Sequence, residues 1–383
     1  MGILRWTWPM MATALLILTP WGSYGRRPVR PVNAVIVDKT VPFSDRVEHR
    51  SLFWLFDHMK LVHPDGKPYD PDADYLGAFP GPVPGDPPVR MIDLTPEAAL
   101  DADLLYLVDT YGVYRDDLKS GAAMKAALER SPKIYGGTTL AEAQAVREAL
   151  QEGRTVVGEF NTMASPTGPE ARKVLESVFA VRWTHWIGRY FDRLENRGEV
   201  PRWMRLNYER EHLRPWTFEG PGYVLLQDDA HCEVLRVGVE TERIGLTLER
   251  ERPLDPLLGN AVDGTAYPYW FEWTVAQPGA RVLASFQWHL RPEGRERLRA
   301  HGFPERFPAV IRKQVPQAGM ALYFAGDFAD SPTRGWRMPF AGYPTARKWL
   351  EGARLVPTET AFYWSFYVPV MTRLLDDVAA SGR

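Results

Sequence analysis

The segment of residues 154–169, RTVVGEFNTMASPTGP, constrains the fold more than any other part of the chain. Its first part, Arg154 to Phe160, is rich in β-forming residues without helical spacing, which predicts a short buried strand. Proline and glycine hold the following loop open, and Pro169 stands where a helix tolerates proline, just before EARKVLESVFAV. The segment therefore predicts a strand, a polar turn and a helix, and ligands collect at such strand ends in open α/β sheets.

Acidic residues follow several other predicted strands. NAVIVD ends at Asp38, DLLYLVDTYGVY carries Asp109, and the late segment GMALYFAGDFAD contains Asp327 and Asp330. Because the carboxyl ends of parallel strands share one edge of a sheet, we expect these acids to converge with Glu159 on one rim. The pattern predicts an α/β fold with a doubly wound, mostly parallel sheet.

The predicted elements also suggest a division of the chain. Strands without intervening helices, YPYWFEWTV and ARVLASFQWHL, predict a β-rich insertion at 241–304. The main α/β domain then comprises residues 32–240 and 305–380, and it closes with a C-terminal helix. Residues 1–25 remain outside this domain as a signal peptide or membrane anchor.

Composition excludes several classes of function. The net charge is -2 and no block of like charge occurs, which argues against a nucleic-acid partner. A single cysteine, Cys232, excludes an internal disulfide and a cysteine-based metal cluster. No glycine-rich phosphate loop is present, so no cofactor is predicted. The 14 tryptophans fit either an aromatic core or a surface that stacks on sugar rings.

The N-terminus predicts export. Arg5 precedes an apolar run from Met10 to Trp21 that is short for a membrane span, and the small residues Ser23 and Gly25 suit cleavage by signal peptidase. An uncleaved anchor is the alternative, since several arginines follow the run and positive charge normally stays in the cytoplasm. Either way an extracytoplasmic protein is predicted, with membrane contact only through this segment.

Glu159 and Asp327 are the candidate catalytic residues. Both follow apolar strands, and glycine precedes each of them. Paired carboxylates are what glycoside hydrolysis needs, and they also suit Ca²⁺ or Mg²⁺, although no metal site is predicted. The alternative is structural, because acids at strand ends often cap helices or pair with arginine.

Further residues are candidates for ligand binding. His49 lies at the start of the helix after the first strand, near the same rim, where it can act as a base, bond a ligand or cap the helix. Trp186 and Arg189 belong to the aromatic segment RWTHWIGRYFDRL, which predicts either an aromatic lip or core packing. The other candidates at the rim are Asp38, Asp109, Asn161 and Asp330.

The strand ends at Asp38, Asp109 and Glu159, followed by the late strand ending AGDFAD, resemble the class I glutamine-amidotransferase-like, flavodoxin-like architecture. Within that architecture the chain looks similar to trehalose-utilisation-protein-like domains and to a domain of some β-galactosidases, and WFEWTV followed by ARVLASF resembles a segment of them. Such glutaminases place a cysteine in the tight turn after the central strand. Here that turn has Glu159 and Asn161 and no thiol, while Cys232 lies inside a predicted strand, so a Cys–His glutaminase is excluded.

Two functions remain open after this comparison. The resemblance favours an exported amidotransferase-like protein, without glutaminase chemistry, that binds a carbohydrate or small molecule or assists the processing of cell-envelope carbohydrate. The alternative is a carboxylate-dependent glycan hydrolase that uses Glu159 and Asp327. The sequence leaves open whether the protein is an enzyme at all.

Overall fold

The computed structural model describes residues 19–41, 43, 45–83, 86–118, 131–227, 231–331, 340–352 and 358–381. Most of the predicted export signal, Met10 to Trp21, therefore lies outside the described residues. Residues 19–25 are helical. Within the described ranges, no helix has the length and apolar character needed to cross a membrane.

The described chain alternates strands and helices in its first half and is mainly strands in its second. The strands are β1 Arg30–Pro31, β2 Ala34–Asp38, β3 Leu61–Val62, β4 Leu76–Phe79, β5 Arg90–Met91, β6 Leu104–Asp109, β7 Val113–Tyr114, β8 Lys133–Tyr135, β9 Thr155–Gly158, β10 Val181–Phe191, β11 Gly222–Gln227, β12 His231–Arg236, β13 Thr241–Arg250, β14 Thr265–Ala266, β15 Trp270–Ala276, β16 Ala280–Leu290, β17 Arg306–Gln314 and β18 Met320–Phe324. The helices are α1 Val47–Met59, α2 Pro96–Asp101, α3 Leu140–Gln151, α4 Pro169–Phe179, α5 Arg202–His212, α6 Pro292–Ala300, α7 Tyr343–Gly352, α8 Glu359–Phe362 and α9 Val368–Ser381. A 3₁₀ helix lies at Pro256–Leu258, and the π-helical segment Tyr363–Tyr367 joins α8 to α9.

Ten of these strands form one mixed sheet in the order β14-β13-β16-β17-β18-β9-β6-β2-β4-β5. Neighbouring strands from β18 to β4 are parallel, whereas β17, β16 and β13 continue the sheet antiparallel. Numbered by their order along the chain, the parallel strands run 2-1-3-4-5 across the sheet. The order thus reverses between β2 and β6, and the carboxyl ends at such a reversal are where open α/β sheets generally bind ligands.

The central strand, turn and helix form as the sequence predicts. β9 covers Thr155–Gly158, and α4 begins with Pro169 in its first turn. A Cβ at Gly158 would lie 2.6 Å from the ring of Phe179, so glycine lets α4 approach the strand closely. A capping box of Thr139 and Glu142 starts α3, the helix that leads into β9.

The β-rich region differs from the predicted insertion at 241–304. It begins at β10, the aromatic segment, which pairs with β11 and β15 in a separate four-stranded sheet of order β12-β11-β10-β15. The register of β10 against β15 shifts between Trp183 and Ile187, and His185 there has φ 70. This irregularity breaks the alternation by which strands are recognised in sequence. The remaining strands of the region, β13, β14 and β16, extend the main sheet instead.

One large core joins the main sheet to the β-rich region. Buried residues from β6, β9 and β18 belong to the same cluster as those from β15 and β16, and a smaller cluster lies around Phe191 and Cys232. Among the described helices, α2 contacts α3 and α3 contacts α4, while α1 contacts α9. Because β2, β6, β9 and β18 are neighbours and run parallel, their carboxyl ends lie at one edge of the sheet.

Candidate functional site: a rim of buried carboxylates

The acids predicted at the strand ends lie together. Asp38 and Asp109 are paired in register at the ends of β2 and β6, where the strand order reverses. Glu159 directly follows β9, and Asp327 lies three residues beyond β18, the neighbour of β9. Burial raises the pKa of Asp327 well above its usual range, and Asp330, Asp109, Glu159 and Glu48 raise it further. We call this group of six carboxylates the acidic rim.

Glu159 is fully enclosed. Its side chain has no exposed surface, Oε1 accepts a hydrogen bond from the Tyr106 hydroxyl, and Oε2 accepts from the backbone N–H groups of Phe328 and Ala329, each at 2.9 Å. Burial raises the pKa of Glu159 to about 8, and these hydrogen bonds only partly oppose the effect. Glu159 therefore fastens the loop after β18 to the end of β9.

Asp109 is held by the turn that follows its own strand. Oδ1 accepts from the Tyr111 N–H at 2.6 Å and from the Thr40 hydroxyl at 3.0 Å, and Oδ2 accepts from the Asn161 amide at 3.5 Å. Burial raises the pKa of Asp109 to about 7, and Asp38 adds to this. Asn161 has φ 64, a left-handed conformation that asparagine tolerates, and this conformation starts the turn after β9.

Asp38 and His49 form a buried pair. Nδ1 of His49 lies 2.6 Å from Oδ2 of Asp38, and Nε2 donates to the Pro71 carbonyl at 2.9 Å. Because a carbonyl only accepts, Nε2 carries a proton, and a second proton must lie between the other two atoms. Both side chains are 0% exposed, so His49 is engaged inside the protein and does not face a ligand.

Asp327 differs from the acids around it. Its side chain is 7% exposed, and no described residue donates a hydrogen bond to its carboxylate. At the mouth of the rim, Asp330 accepts from the Tyr269 hydroxyl at 2.7 Å and is half-buried, as is Glu48 in the first turn of α1. Burial raises the pKa of Asp330 to about 6, while Arg189 opposes this rise. Asp327 is thus the carboxylate with unused hydrogen-bonding capacity.

Of the two ligand-binding candidates in the aromatic segment, Arg189 lies near the acidic rim and Trp186 does not. Arg189 lies over the rings of Tyr269 and Trp270, at 5.3 and 5.2 Å from their centroids, and so reaches the side of the rim at Asp330. Trp186 is 2% exposed and packs against His301 and Phe303, away from the acids. The predicted aromatic lip is therefore not formed by Trp186, because its ring fills the core between the two sheets.

Sequence reasoning missed Glu48 and the tyrosines Tyr106 and Tyr269. Tyr106 in β6 looks like an ordinary core residue and Tyr269 like a loop residue, and only their hydrogen bonds to Glu159 and Asp330 reveal their role. Glu48 was visible as an acid in the first turn of a helix, a position that usually reflects the helix dipole alone.

The chemistry available at the rim is hydrogen bonding and proton exchange. Several carboxyl groups have raised pKa values, so protonated acids and carboxylates coexist near neutral pH. No group of three or more acids, histidines or cysteines in the described ranges is arranged to hold a metal ion. The rim therefore offers acceptors and protonated donors to a polar ligand.

No protein-family model matches the chain, and no curated protein matches it. Among similar solved structures is a cytoplasmic protein from Salmonella typhimurium LT2, with 11% identity over 90% of this chain and 98% of that chain and a TM-score of 0.39. A thua-like protein from Bacteroides uniformis has 12% identity over 88% of this chain and 99% of that chain, with a TM-score of 0.35. A beta-galactosidase from Rahnella has 9% identity over 91% of this chain and only 31% of that chain, with a TM-score of 0.36. Likenesses this remote carry no argument about function.

Proposed function

We propose that this protein is an amidotransferase-like, doubly wound α/β protein that binds a hydroxyl-rich, carbohydrate-type ligand at the acidic rim and performs no glutaminase reaction. The observation that carries the proposal is the Asp327 carboxylate, which is nearly buried, lies among other acids and accepts no hydrogen bond from the described residues. A polar group in such a place normally has a partner, so a ligand that donates hydrogen bonds fits there.

The position of the rim supports a binding role. It lies where the order of the parallel strands reverses, between β2 and β6, which is where open α/β sheets bind their ligands. Sugar hydroxyls donate to carboxylates and accept from protonated acids, so they match a rim that presents both forms. Asp109 and Asn161 line this position through the turns that follow β6 and β9.

The absence of a thiol at the turn after β9 supports the loss of glutaminase chemistry. Cys232, the single cysteine of the chain, is 0% exposed in β12, and burial raises the pKa of its thiol. A thiol that stays protonated and enclosed is neither a nucleophile nor accessible.

The hydrolase alternative with Glu159 and Asp327 as the pair is disfavoured. A catalytic acid or nucleophile must reach the substrate, whereas Glu159 is 0% exposed and both of its oxygens already accept hydrogen bonds. In the proposed function Glu159 is a positioning residue, which fixes the loop that carries Asp327 and Asp330.

Isothermal titration calorimetry with a panel of neutral sugars, amino sugars and short glycans tests the proposal. We expect at least one member to bind, and Asp327→Asn to weaken it by roughly tenfold or more, which is the loss of one charged hydrogen bond. Glu272→Gln is the control, because Glu272 is also a buried carboxyl and lies in β15, away from the rim. The proposal fails if no member binds, or if both variants reduce affinity equally.

We also propose that the protein is extracytoplasmic, on the strength of the apolar run from Met10 to Trp21. Fusing residues 1–35 to a reporter that is active only outside the cytoplasm should give signal, with a mature protein that begins near Arg26. A full-length soluble product in the cytoplasm would contradict this proposal and would leave the acidic rim unaffected.

A further inference from the structure

A cavity lies at the end of α1 that is opposite to the acidic rim. It is a groove of about 600 Å³, bounded by the end of α1, the start of α7, the π-helical segment and α9. His58 lines this groove, whereas Glu48 of the acidic rim lies ten residues earlier in the same helix, about 15 Å away at 1.5 Å per residue. The volume is in the range of small-molecule sites. We call it the basal groove.

Two buried nitrogens in the lining have no partner. His58 is 4% exposed and Trp364 is 0% exposed, yet neither Nδ1 of His58 nor Nε1 of Trp364 makes a hydrogen bond. The indole N–H can only donate, and it normally finds an acceptor when it is buried. Trp364 is among the residues that line the groove, so an occupant of the groove is a candidate source of that acceptor.

The backbone around Trp364 is itself unusual. Residues Tyr363–Tyr367 form a π-helical turn between α8 and α9. Such turns occur mostly as single insertions in α-helices and are frequent at functional sites. Here the π-helical turn places the indole of Trp364 at the wall of the basal groove. The ring centroids of Trp54 and Trp364 lie 5.0 Å apart.

The lining of the groove carries more cations than acids. Arg27, Arg30, Lys348 and Arg373 line the groove, and Asp376 is the acid among its lining residues. Arg30 pairs with Asp376 at 2.7 Å, and Arg373 pairs with Asp377 at 2.9 Å on an exposed face. The cations thus exceed the acids in the lining. Apolar side chains, among them Met59 and Val368, cover the rest of the wall.

We propose that the basal groove binds an amphipathic monoanion, with a carboxylate facing the cationic lining and Trp364, and an alkyl chain along the apolar wall. The donors are N–H groups throughout, which fits an acceptor-only anion. The apolar wall excludes a small hydrophilic anion such as phosphate as the best occupant, because such an ion would leave that wall in contact with water. This site lies beyond the proposed function at the acidic rim and does not depend on it.

Calorimetry with dodecanoate, at concentrations where it is monomeric, tests the proposal on the full chain. We expect one dodecanoate to bind per chain. Methyl dodecanoate lacks the negative charge and inorganic phosphate lacks the alkyl chain, so each should bind at least tenfold more weakly. Trp364→Phe keeps an aromatic ring but removes the indole N–H donor. Arg373→Gln removes a cation from an exposed position. Each variant should weaken dodecanoate by roughly tenfold.

Trp349→Ala and Arg299→Gln are the matched controls. Trp349 is 75% exposed on α7, and Arg299 is exposed on α6, and neither lines the groove. Both should leave the affinity unchanged. The proposal is overturned if dodecanoate does not bind, if its methyl ester binds equally well, or if the controls lose as much affinity as the groove variants. Adsorption to anionic vesicles without binding of monomeric dodecanoate would also overturn it.

Discussion

The acidic rim and the four-stranded antiparallel sheet each bury a glutamate against a tyrosine. Glu159 accepts from Tyr106 at the rim, and Glu272 accepts from Tyr323 beside β15. Both glutamates are 0% exposed, and burial raises the pKa of each to about 8. They differ in the second oxygen, because Oε2 of Glu159 accepts two backbone N–H groups whereas Oε2 of Glu272 has no partner.

The difference follows from where each glutamate stands in its sheet. At the end of a parallel strand the backbone leaves the ladder, so the N–H groups of Phe328 and Ala329 are free to turn toward a side chain. Glu272 lies in β15, the edge strand of its sheet, and its own N–H already donates to the Ala325 carbonyl at 2.9 Å. Glu159 is therefore satisfied by the backbone of a loop, whereas Glu272 keeps one oxygen without a partner.

The largest expected effect separates these two glutamates. Glu159→Leu keeps the volume but leaves the two backbone N–H groups unpaired, and we expect a loss of about 2 to 5 kcal/mol in the free energy of unfolding. Glu272→Leu removes one oxygen that has no partner and also the acceptor of the Tyr323 hydroxyl, so it should cost less, about 1 kcal/mol. Chemical denaturation at one pH measures both. Equal losses would show that the backbone contacts of Glu159 contribute nothing.

The pH dependence of stability sharpens the same comparison. Each glutamate holds a proton in the folded state that it has lost in the unfolded state between about pH 4.5 and about pH 8. Stability should therefore be highest at the acidic end of this window and fall as the pH rises through it. Glu159→Gln and Glu272→Gln should each flatten the fall by a similar amount. If only Glu272→Gln does so, the three hydrogen bonds of Glu159 keep it ionised.

Within the rim, Asp327 and Asp109 should respond in opposite directions. Asp327→Asn removes a nearly buried acid that faces other acids and accepts no hydrogen bond from the described residues, so we expect a gain of about 1 kcal/mol in stability. Asp109→Asn keeps an acceptor for Tyr111 and Thr40 but places an amide donor opposite the amide donor of Asn161, and should cost about 1 kcal/mol. Thermal unfolding of both variants measures this. A loss of stability in Asp327→Asn would mean that this carboxylate is already satisfied.

Much of the rim was predictable because it depends on the order of strands. The spacing of apolar runs and the acids at their ends place Asp38, Asp109, Glu159 and Asp327 at one edge, and the structure brings them together. What each acid does there was not predictable. That Glu159 holds a loop depends on backbone N–H groups 169 and 170 positions away, which no local pattern records.

The β-rich region was harder to predict for a different reason. Its strands divide between two sheets, and a bulge at His185 hides β10, so the segment looks like an irregular aromatic stretch. The basal groove left no signal in the sequence. Its lining comes from α1, α7, the π-helical segment and α9, whose proximity is a matter of tertiary packing.

The smallest expected effect concerns the thiol in the four-stranded sheet, where a chemically reactive group is buried with nothing to activate it. Cys232 is 0% exposed, its Sγ lies 3.8 Å from the Met204 carbonyl, and burial raises its pKa. Cys232→Ala should leave sugar binding at the rim within a few-fold of the unchanged protein and cost about 1 kcal/mol through the small cavity it creates. Native protein should also resist a thiol reagent that modifies it readily once unfolded. Rapid labelling in the folded state, or loss of binding with the fold intact, would show that the antiparallel sheet contributes chemistry as well as support.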